Sequence, residues 1–475
     1  MKTTHDLIII GGGAGGLTVA SGAAQLGMKV LLVEREHMGG DCLYNGCVPS
    51  KTLLKSSLIY SQALHSPSYG LPQIDPPRVD LSRVMERVGH VIEGISHHDS
   101  VERFESLGAE VVLASANFLS PHEIEVGGNV YTSKKIVVAT GSSPAVPPIP
   151  GLEGSGYITN KDIFTLNELP EHMITLGGGP IGVELSQALG RLGARVSILN
   201  KESHLLPRED EDVASVVEAQ LTAEGVSVFN DVHINRISRI GDTVSIEYGS
   251  GGEKKSISGD KLLIAAGRKG NTSGMNLEEI GIELNHSFIK VDSRLQTSIK
   301  HIHAIGDVNG QFLFTHVAGA EGSFMVRKLV LGLPGRFSYK NVPWCTFSDP
   351  ELASIGYNEG RAMAAGIKYQ TVITPLSDID RAQAENRPEG RIKILIDKKE
   401  RIIGTQIVGV HAGDLILPSL YAVTKKYKLM DLMSPMIPYP TLGEIQKRAA
   451  GSYYGPKLFN PRTRGILKKF YGYRG

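Results

Sequence analysis

Two thiols offer the widest chemistry in this chain, Cys42 and Cys47 in Gly39-Gly40-Asp41-Cys42-Leu43-Tyr44-Asn45-Gly46-Cys47-Val48-Pro49-Ser50-Lys51. Thiolates attack electrophiles, bind soft metals and interconvert with disulfides. At this spacing on an ideal helix the two Cα atoms lie roughly 8–9 Å apart, whereas a disulfide needs about 4.4–6.8 Å. A C-x4-C pair is therefore either two separate buried thiols or a bridge that distorts its turn. Gly46 supplies tolerant backbone and Pro49 suits a first helical turn, so a bent turn feeding a helix from about Pro49 to Ala63 is predicted. Cys345 has no partner at useful spacing and lies among aromatic and apolar residues, which predicts a buried, inert thiol.

The elements around the pair come in two copies. Asp6-Leu7-Ile8-Ile9-Ile10 reads as a buried parallel strand, followed by Gly11-Gly12-Gly13-Ala14-Gly15-Gly16 and an alanine-rich helix to Leu26. In such a turn Gly11 permits the bend, Gly13 lets backbone approach a pyrophosphate, and Gly16 lets helix pack on strand. The next strand ends at Glu34, whose carboxylate can accept from ribose hydroxyls. Gly177-Gly178-Gly179-Pro180-Ile181-Gly182 repeats the motif at an offset of 166 residues (177 − 11), and the same offset carries Val30 onto Val196 and Glu34 onto Asn200. Two Rossmann-like units, and so two dinucleotides, are predicted.

At 475 residues the chain holds several domains with ample core. A net charge of +1 gives no global pull toward nucleic acid. Three cysteines in so long a chain argue against a disulfide-stapled secreted protein; with a short polar lead before Leu7, a cytoplasmic location is expected. Between the units the chain reads as helix from about Val79 to Leu107, then strands around Glu110–Phe118 and Glu123–Tyr131. Ser142 to Gly151, with four prolines, reads as a crossing between domains.

The cysteine stretch closely resembles the redox-active disulfide segment of the flavin-dependent pyridine nucleotide-disulfide oxidoreductases, a family that includes dihydrolipoamide dehydrogenase, glutathione reductase and mercuric reductase. The resemblance runs from residue 7 to about 450. It implies an α/β fold: two Rossmann-like dinucleotide-binding domains plus a C-terminal α+β dimerisation domain. The expected division is 1–150 and 270–338 for FAD, 151–269 for the nicotinamide nucleotide, 339–450 for the homodimer interface, and 451–475 as a basic aromatic tail.

By resemblance, Cys42 and Cys47 form the redox disulfide, with Cys47 against the flavin and Cys42 meeting a small-molecule electron acceptor. Lys51 and Glu184 match a family ion pair near the flavin. FAD would be held by Gly11, Gly13, Ala14, Gly15, Gly16, Glu34, Gly40, Asp41, Ala116, Thr140, Gly141, Gly306, Asp307 and Val317, with Asp307 on its ribityl chain. Gly177, Gly179, Pro180, Ile181, Gly182, Asn200, Lys201, Gly267 and Arg268 would serve the second nucleotide. Because Asn200-Lys201 replaces the ribose-binding carboxylate with a cation suited to a 2′-phosphate, NADPH is expected over NADH, with Arg208 assisting. No metal site is expected.

Two departures stand out. Disulfide-substrate members of the family end the interface domain in His-Pro-Thr with a following glutamate, and here the stretch is Tyr439-Pro440-Thr441-Leu442-Gly443-Glu444. Tyrosine, with an ordinary pKa of about 10, is a poor base beside histidine at about 6.5. Tyr439 and Glu444 are thus expected catalytic residues of a mercuric reductase-like kind, where a phenol oxygen helps hold a thiolate-bound metal. A dihydrolipoyl dehydrogenase and a membrane-docked electron donor are the competing readings. The second departure is the tail: from Lys447 to Gly475 there are eight Lys and Arg and no acid, interleaved with aromatics that include Phe470, Tyr471 and Tyr473. That composition suits a strap along the dimer or a weak membrane-surface contact.

Overall fold

The computed structural model describes residues 3–472. The apolar run Leu7–Ile10 is buried along its whole length, as a strand covered on both faces requires. It sits at the centre of a five-stranded parallel sheet ordered Ile302–Ala304, Ile136–Val138, Leu7–Ile10, Val30–Glu34, Ala109–Leu113. The last strand corrects the predicted strand at Glu110–Phe118. The chain breaks at Ala114-Ser115, so Ala109–Leu113 joins the parallel sheet, while Ala116–Ser120 opens an antiparallel meander with Glu123–Val126 and Asn129–Thr132.

The second glycine motif builds a four-stranded parallel sheet ordered Ser227–Phe229, Arg195–Leu199, His172–Leu176, Lys261–Ile264. The sequence offset persists in the strand register: Leu7 faces Val30 in the first sheet, and Met173 faces Val196 in the second. Each glycine turn leads into a helix, Ala14–Gln25 and Pro180–Arg191. The proline-rich crossing is tied down where Ser142–Pro144 pairs antiparallel with Arg268–Gly270.

A third layer is a five-stranded antiparallel sheet, Pro343–Thr346, Glu351–Gly356, Ile402–Gly409, Arg391–Ile396, Gln370–Pro375, with helices Leu417–Lys425 and Glu444–Leu458 sharing its core. The cysteine segment lies where the three layers meet. Helix Cys47–Leu64 puts Leu53 and Leu54 into the same apolar cluster as Val183, Leu185 and Leu189 of the second unit and Leu352 and Val408 of the third layer. The tail forms a helix, Pro461–Tyr471, with no buried residue. Tyr473 and Arg474 lie outside the described residues. No described helix is long and apolar enough to cross a membrane.

Candidate active site

Cys42 lies on the short helix Gly40–Tyr44, the chain bends at Asn45-Gly46, and Cys47 is the first residue of the helix Cys47–Leu64. The helix therefore starts earlier than the predicted Pro49. Glycine is required at the bend, since a Cβ on Gly46 would lie 2.9 Å from the Asp41 carbonyl oxygen. Both thiols are free, so the pair is in its dithiol form. The Cys42 thiol, hydrogen-bonded to Cys47, lowers the Cys47 pKa to about 6, with Thr315 and the Lys51 ammonium reinforcing it against burial. That same hydrogen bond, together with burial, pushes Cys42 upward. Cys47 is thus the thiolate and Cys42 the thiol. The Thr315 hydroxyl lies 3.5 Å from the Cys47 Sγ.

One turn along the helix, Lys51 Nζ lies 2.8 Å from Glu184 Oε2 and 4.5 Å from the centroid of the Phe347 ring. Burial disfavours the Lys51 ammonium, but Glu184 outweighs it and holds the pKa above the ordinary lysine value. Glu184 also accepts the Phe347 backbone N–H at 2.8 Å. One carboxylate thereby joins all three layers.

A cavity of about 910 Å³ runs from the first glycine turn to this ion pair. Its walls include Gly11, Gly13, Ala14, Gly15, Glu34, Gly40, Asp41, Ala116, Thr140, Gly141, Gly306 and Asp307, together with Pro180, Ile181 and Glu184 from the second unit. Gly16 lies behind the wall, where a Cβ would approach the Gly11 carbonyl oxygen to 1.9 Å. A Cβ on Gly13 would meet nothing within 4 Å and would stand in open space beside the cavity. Glu34 accepts the Gly12 N–H at 2.7 Å and the Glu36 N–H at 2.8 Å, which fixes its carboxylate at the strand end.

At the far wall the Ser142 hydroxyl donates to Asp307 Oδ2 at 2.6 Å and accepts from Arg268 Nε at 2.7 Å. Arg268 also binds Asp41 Oδ2 at 2.7 Å, which sets it in the wall of the first cavity rather than at the second glycine turn. Burial raises the Asp307 pKa, opposed by Ser142 and Arg268. Asp41 Oδ1 is buried without a protein partner. Val317 packs into the core, and Thr315, His316 and Ala318 of its helix line the cavity instead.

In the second unit a Cβ on Gly177 would lie 2.4 Å from the Ala265 carbonyl oxygen, one on Gly182 would lie 2.1 Å from that of Gly177, and one on Gly179 would meet nothing within 4 Å. Gly267 adopts φ +128°. Asn200 is turned inward. Its Nδ2 donates to Glu202 O at 3.0 Å, His204 O at 2.9 Å and Asn230 Oδ1 at 2.8 Å, so the side chain shapes the following loop. Lys201 and Arg208 are exposed on that loop.

The third layer grips the loop's far end. Glu209 accepts from Trp344 Nε1, from Ser354 Oγ at 2.5 Å and from Gln406 Nε2 at 2.7 Å. Buried Lys393 reaches Asp210 at 3.0 Å, Asp212 at 2.7 Å and Glu359 at 2.8 Å. These three carboxylates cluster closely, and the Lys393 ammonium occupies the point on which they converge.

Tyr439 and Glu444 line neither this cavity nor its neighbour. Tyr439 is exposed, and its hydroxyl donates to Asp380 Oδ2 at 2.9 Å, a bond that raises its pKa. Glu444 accepts the Thr441 N–H at 3.3 Å, holding its own helix start. Cys345 differs from its prediction. It is half-buried on the cavity wall, although burial does push its thiol pKa upward.

Sequence reading missed Glu321. Its carboxylate accepts the Gly306 N–H at 2.5 Å and Asn309 Nδ2 at 3.0 Å, and also binds the Tyr339 hydroxyl, so it sets the turn that aims Asp307. An acid among the small and apolar residues of helix Thr315–Met325 was the available signal.

Residues 5–322 match the family model described as pyridine nucleotide-disulphide oxidoreductase, and residues 342–450 match that family's dimerisation domain. The chain belongs to the pyridine nucleotide-disulphide oxidoreductases. A mercuric reductase of Bacillus cereus is 32% identical over 447 residues, which is 94% of this chain and 71% of that protein. A dihydrolipoyl dehydrogenase of Geobacillus stearothermophilus is 33% identical over 453 residues, 94% of this chain and 95% of that one. Among solved structures, the Cu(II) complex of the HOCl-induced flavoprotein disulfide reductase RclA from Escherichia coli superposes with TM-score 0.84 at 29% identity, covering 95% of this chain and 100% of that one. LpdA from Mycobacterium tuberculosis gives 0.85 at 27% identity, covering 94% and 99%. This oxidoreductase family carries FAD and uses NAD(P)H, and the dimerisation domain supports a homodimer. The cavity fits FAD: its glycines leave a ligand-sized cradle, and Asp41 Oδ1 awaits a donor.

Proposed function

We propose that the protein passes two electrons from NADPH to the Cys42–Cys47 pair and from there to a thiol-reactive acceptor, in the manner of a mercuric reductase. Bound FAD supplies the two-electron relay between nicotinamide and disulfide. Glu34, Asp307 and the first glycine turn hold and orient it, and Lys51 with Glu184 fixes charge at the nicotinamide end. The lowered pKa makes Cys47 the thiolate that stays on the cofactor side, while Cys42 carries the proton. For a mercuric ion the balance is Cys47 thiolate and Cys42 thiol plus Hg²⁺ giving the disulfide, Hg⁰ and one proton.

The observation that carries this reading is the position of Cys42 between two cavities. Cys42 and Thr315 line the large cavity and also a neighbouring cleft of about 780 Å³ floored by Leu17, Leu43 and Phe104, whereas Cys47 lines only the first. An acceptor in the cleft meets Cys42 and not the cofactor. In the related disulfide reductases the corresponding segment reaches in from the other subunit; if Tyr439 does so here, its phenol is a poor proton carrier but suits a thiolate-bound metal, so a soft metal ion is favoured over a dithiol. The reading keeps the division into FAD segments 1–150 and 270–338, nucleotide segment 151–269, interface 339–450 and tail 451–475.

Oxidation of NADPH and of NADH by the purified dimer, scored with mercuric ion, cupric ion, lipoamide and glutathione disulfide, tests it. Mercuric-ion-dependent NADPH oxidation that vanishes in Cys42→Ser is the expected result. Lipoamide reduction at an ordinary rate, with no response to metal ions, would replace this reading with that of a dihydrolipoyl dehydrogenase.

A further inference from the structure

We propose that the C-terminal helix is an interfacial anchor that docks the protein on an anionic phospholipid surface. The inference stands independently of the acceptor. Helix Pro461–Tyr471 is well specified locally: Asn460 caps it through the Thr463 N–H at 3.0 Å, proline occupies its first position, and Gly472 ends it at φ 67°. Yet it buries none of its residues. A helix of this length is marginal in water on its own, so a surface that takes up one face would complete it.

The two faces identify that surface. At 100° per residue, Thr463, Ile466, Leu467, Phe470 and Tyr471 fall on one arc, and Arg462, Arg464, Lys468 and Lys469 on the other. Ile466 is 57% exposed and Phe470 75%, and Phe459, just before the helix, is 84% exposed. Bulky apolar residues opposite a purely basic face form the pattern of helices that lie in a bilayer interface, with cations at the headgroups and the apolar face among the acyl chains. From Lys447 to the C-terminus no acid opposes an anionic surface. A nucleic acid backbone would answer the cations but leave Ile466 and Leu467 in water. Tail against tail, a second copy would set two basic arcs together with no acid between them.

The preceding helix provides the mount. Ile445, Ala449 and Ala450 are buried in the third layer's core, and Lys457 is held to Glu400 at 3.1 Å. The dimer carries two such helices, and their linkage strengthens weak individual contacts.

Co-sedimentation of the full-length dimer with vesicles tests the proposal. Binding to equimolar phosphatidylglycerol and phosphatidylcholine, with none to phosphatidylcholine alone, is expected. Arg464→Ser with Lys468→Ser should weaken partitioning at low salt by roughly thirtyfold for each helix engaged, and Ile466→Ser with Phe470→Ser at least as much, while NADPH oxidation and dimer mass stay unchanged. Three results would each overturn the proposal: no binding to the anionic vesicles, dissociation of the dimer in either double variant (a dimer strap), or tight binding of an RNA oligonucleotide that survives loss of Ile466 and Phe470.

Discussion

The two dinucleotide units are alike where backbone must approach a ligand and unlike immediately afterwards. Gly11 and Gly177 leave 2.3 and 2.4 Å between a would-be Cβ and a carbonyl oxygen, and Gly16 and Gly182 leave 1.9 and 2.1 Å. After the second strand the copies part. Glu34 folds back onto the Gly12 and Glu36 N–H groups and the chain enters the cysteine helix. Asn200 turns inward, and the chain enters a loop gripped by the third layer. The difference teaches that the glycine turn is fixed by sterics, while the strand end is free to lead into the cysteine helix in one copy and into a loop held by the third layer in the other.

Breaking the shared turn should give the largest effects, and they should be separable. Gly16→Ala is expected to yield protein without bound flavin, read from its visible absorbance. Gly182→Ala is expected to keep the flavin and lose its rapid reduction by NADPH; if both variants lost flavin, the units would not be independent sites. Overpacking of this kind costs roughly 1–3 kcal/mol or more. Next comes the redox branch of the first copy: Cys42→Ser should cut acceptor turnover by about a hundredfold or more, with NADPH-dependent flavin reduction retained. This is the size of effect lost with a group that acts in the chemical step itself.

The second copy's branch should respond less strongly. Lys201→Ala is expected to raise the KM for NADPH about tenfold, equivalent to about 1.4 kcal/mol, and to leave that for NADH unchanged; equal changes would remove Lys201 from the 2′-phosphate site. The smallest effect concerns proton occupancy. Because the Cys47 pKa is lowered, its alkylation by iodoacetamide, followed residue by residue by mass spectrometry, should rise through pH about 6 and then level off. Lys51→Met should move that midpoint upward by about one unit, since a nearby cation favours the thiolate.

Much of this organisation was legible because it rests on local rules. The 166-residue offset (177 − 11) tracked a repeated turn, and the strand registers obey it. The helix after Cys47 also follows from a short motif, whereas the ion pair of Lys51 with Glu184, 133 residues apart, was expected only through the family resemblance. What escaped depends on contacts distant in sequence. Lys393 stands within the apolar strand Arg391–Ile396, but its partners Asp210 and Asp212 come from another layer. Glu321 serves Gly306, and Glu209 is claimed by Trp344, Ser354 and Gln406, pairings that no periodicity announces. The expected strand Glu110–Phe118 failed because apolar alternation cannot show a strand changing sheets at Ala114-Ser115.

Glu184 reaches helix Cys47–Leu64 through Lys51 and the third layer through the Phe347 N–H, with an apolar seam beside both bonds. Mechanically, it is a strut. Swinging the nucleotide unit away from the flavin unit would strip this carboxylate of both partners, at a cost of about 1–3 kcal/mol for each charged hydrogen bond broken, before any of the seam is exposed. Relative movement of the nucleotide and flavin units is therefore penalised at the ion pair itself, beside the cysteine helix, and not only along the broad apolar contact behind it.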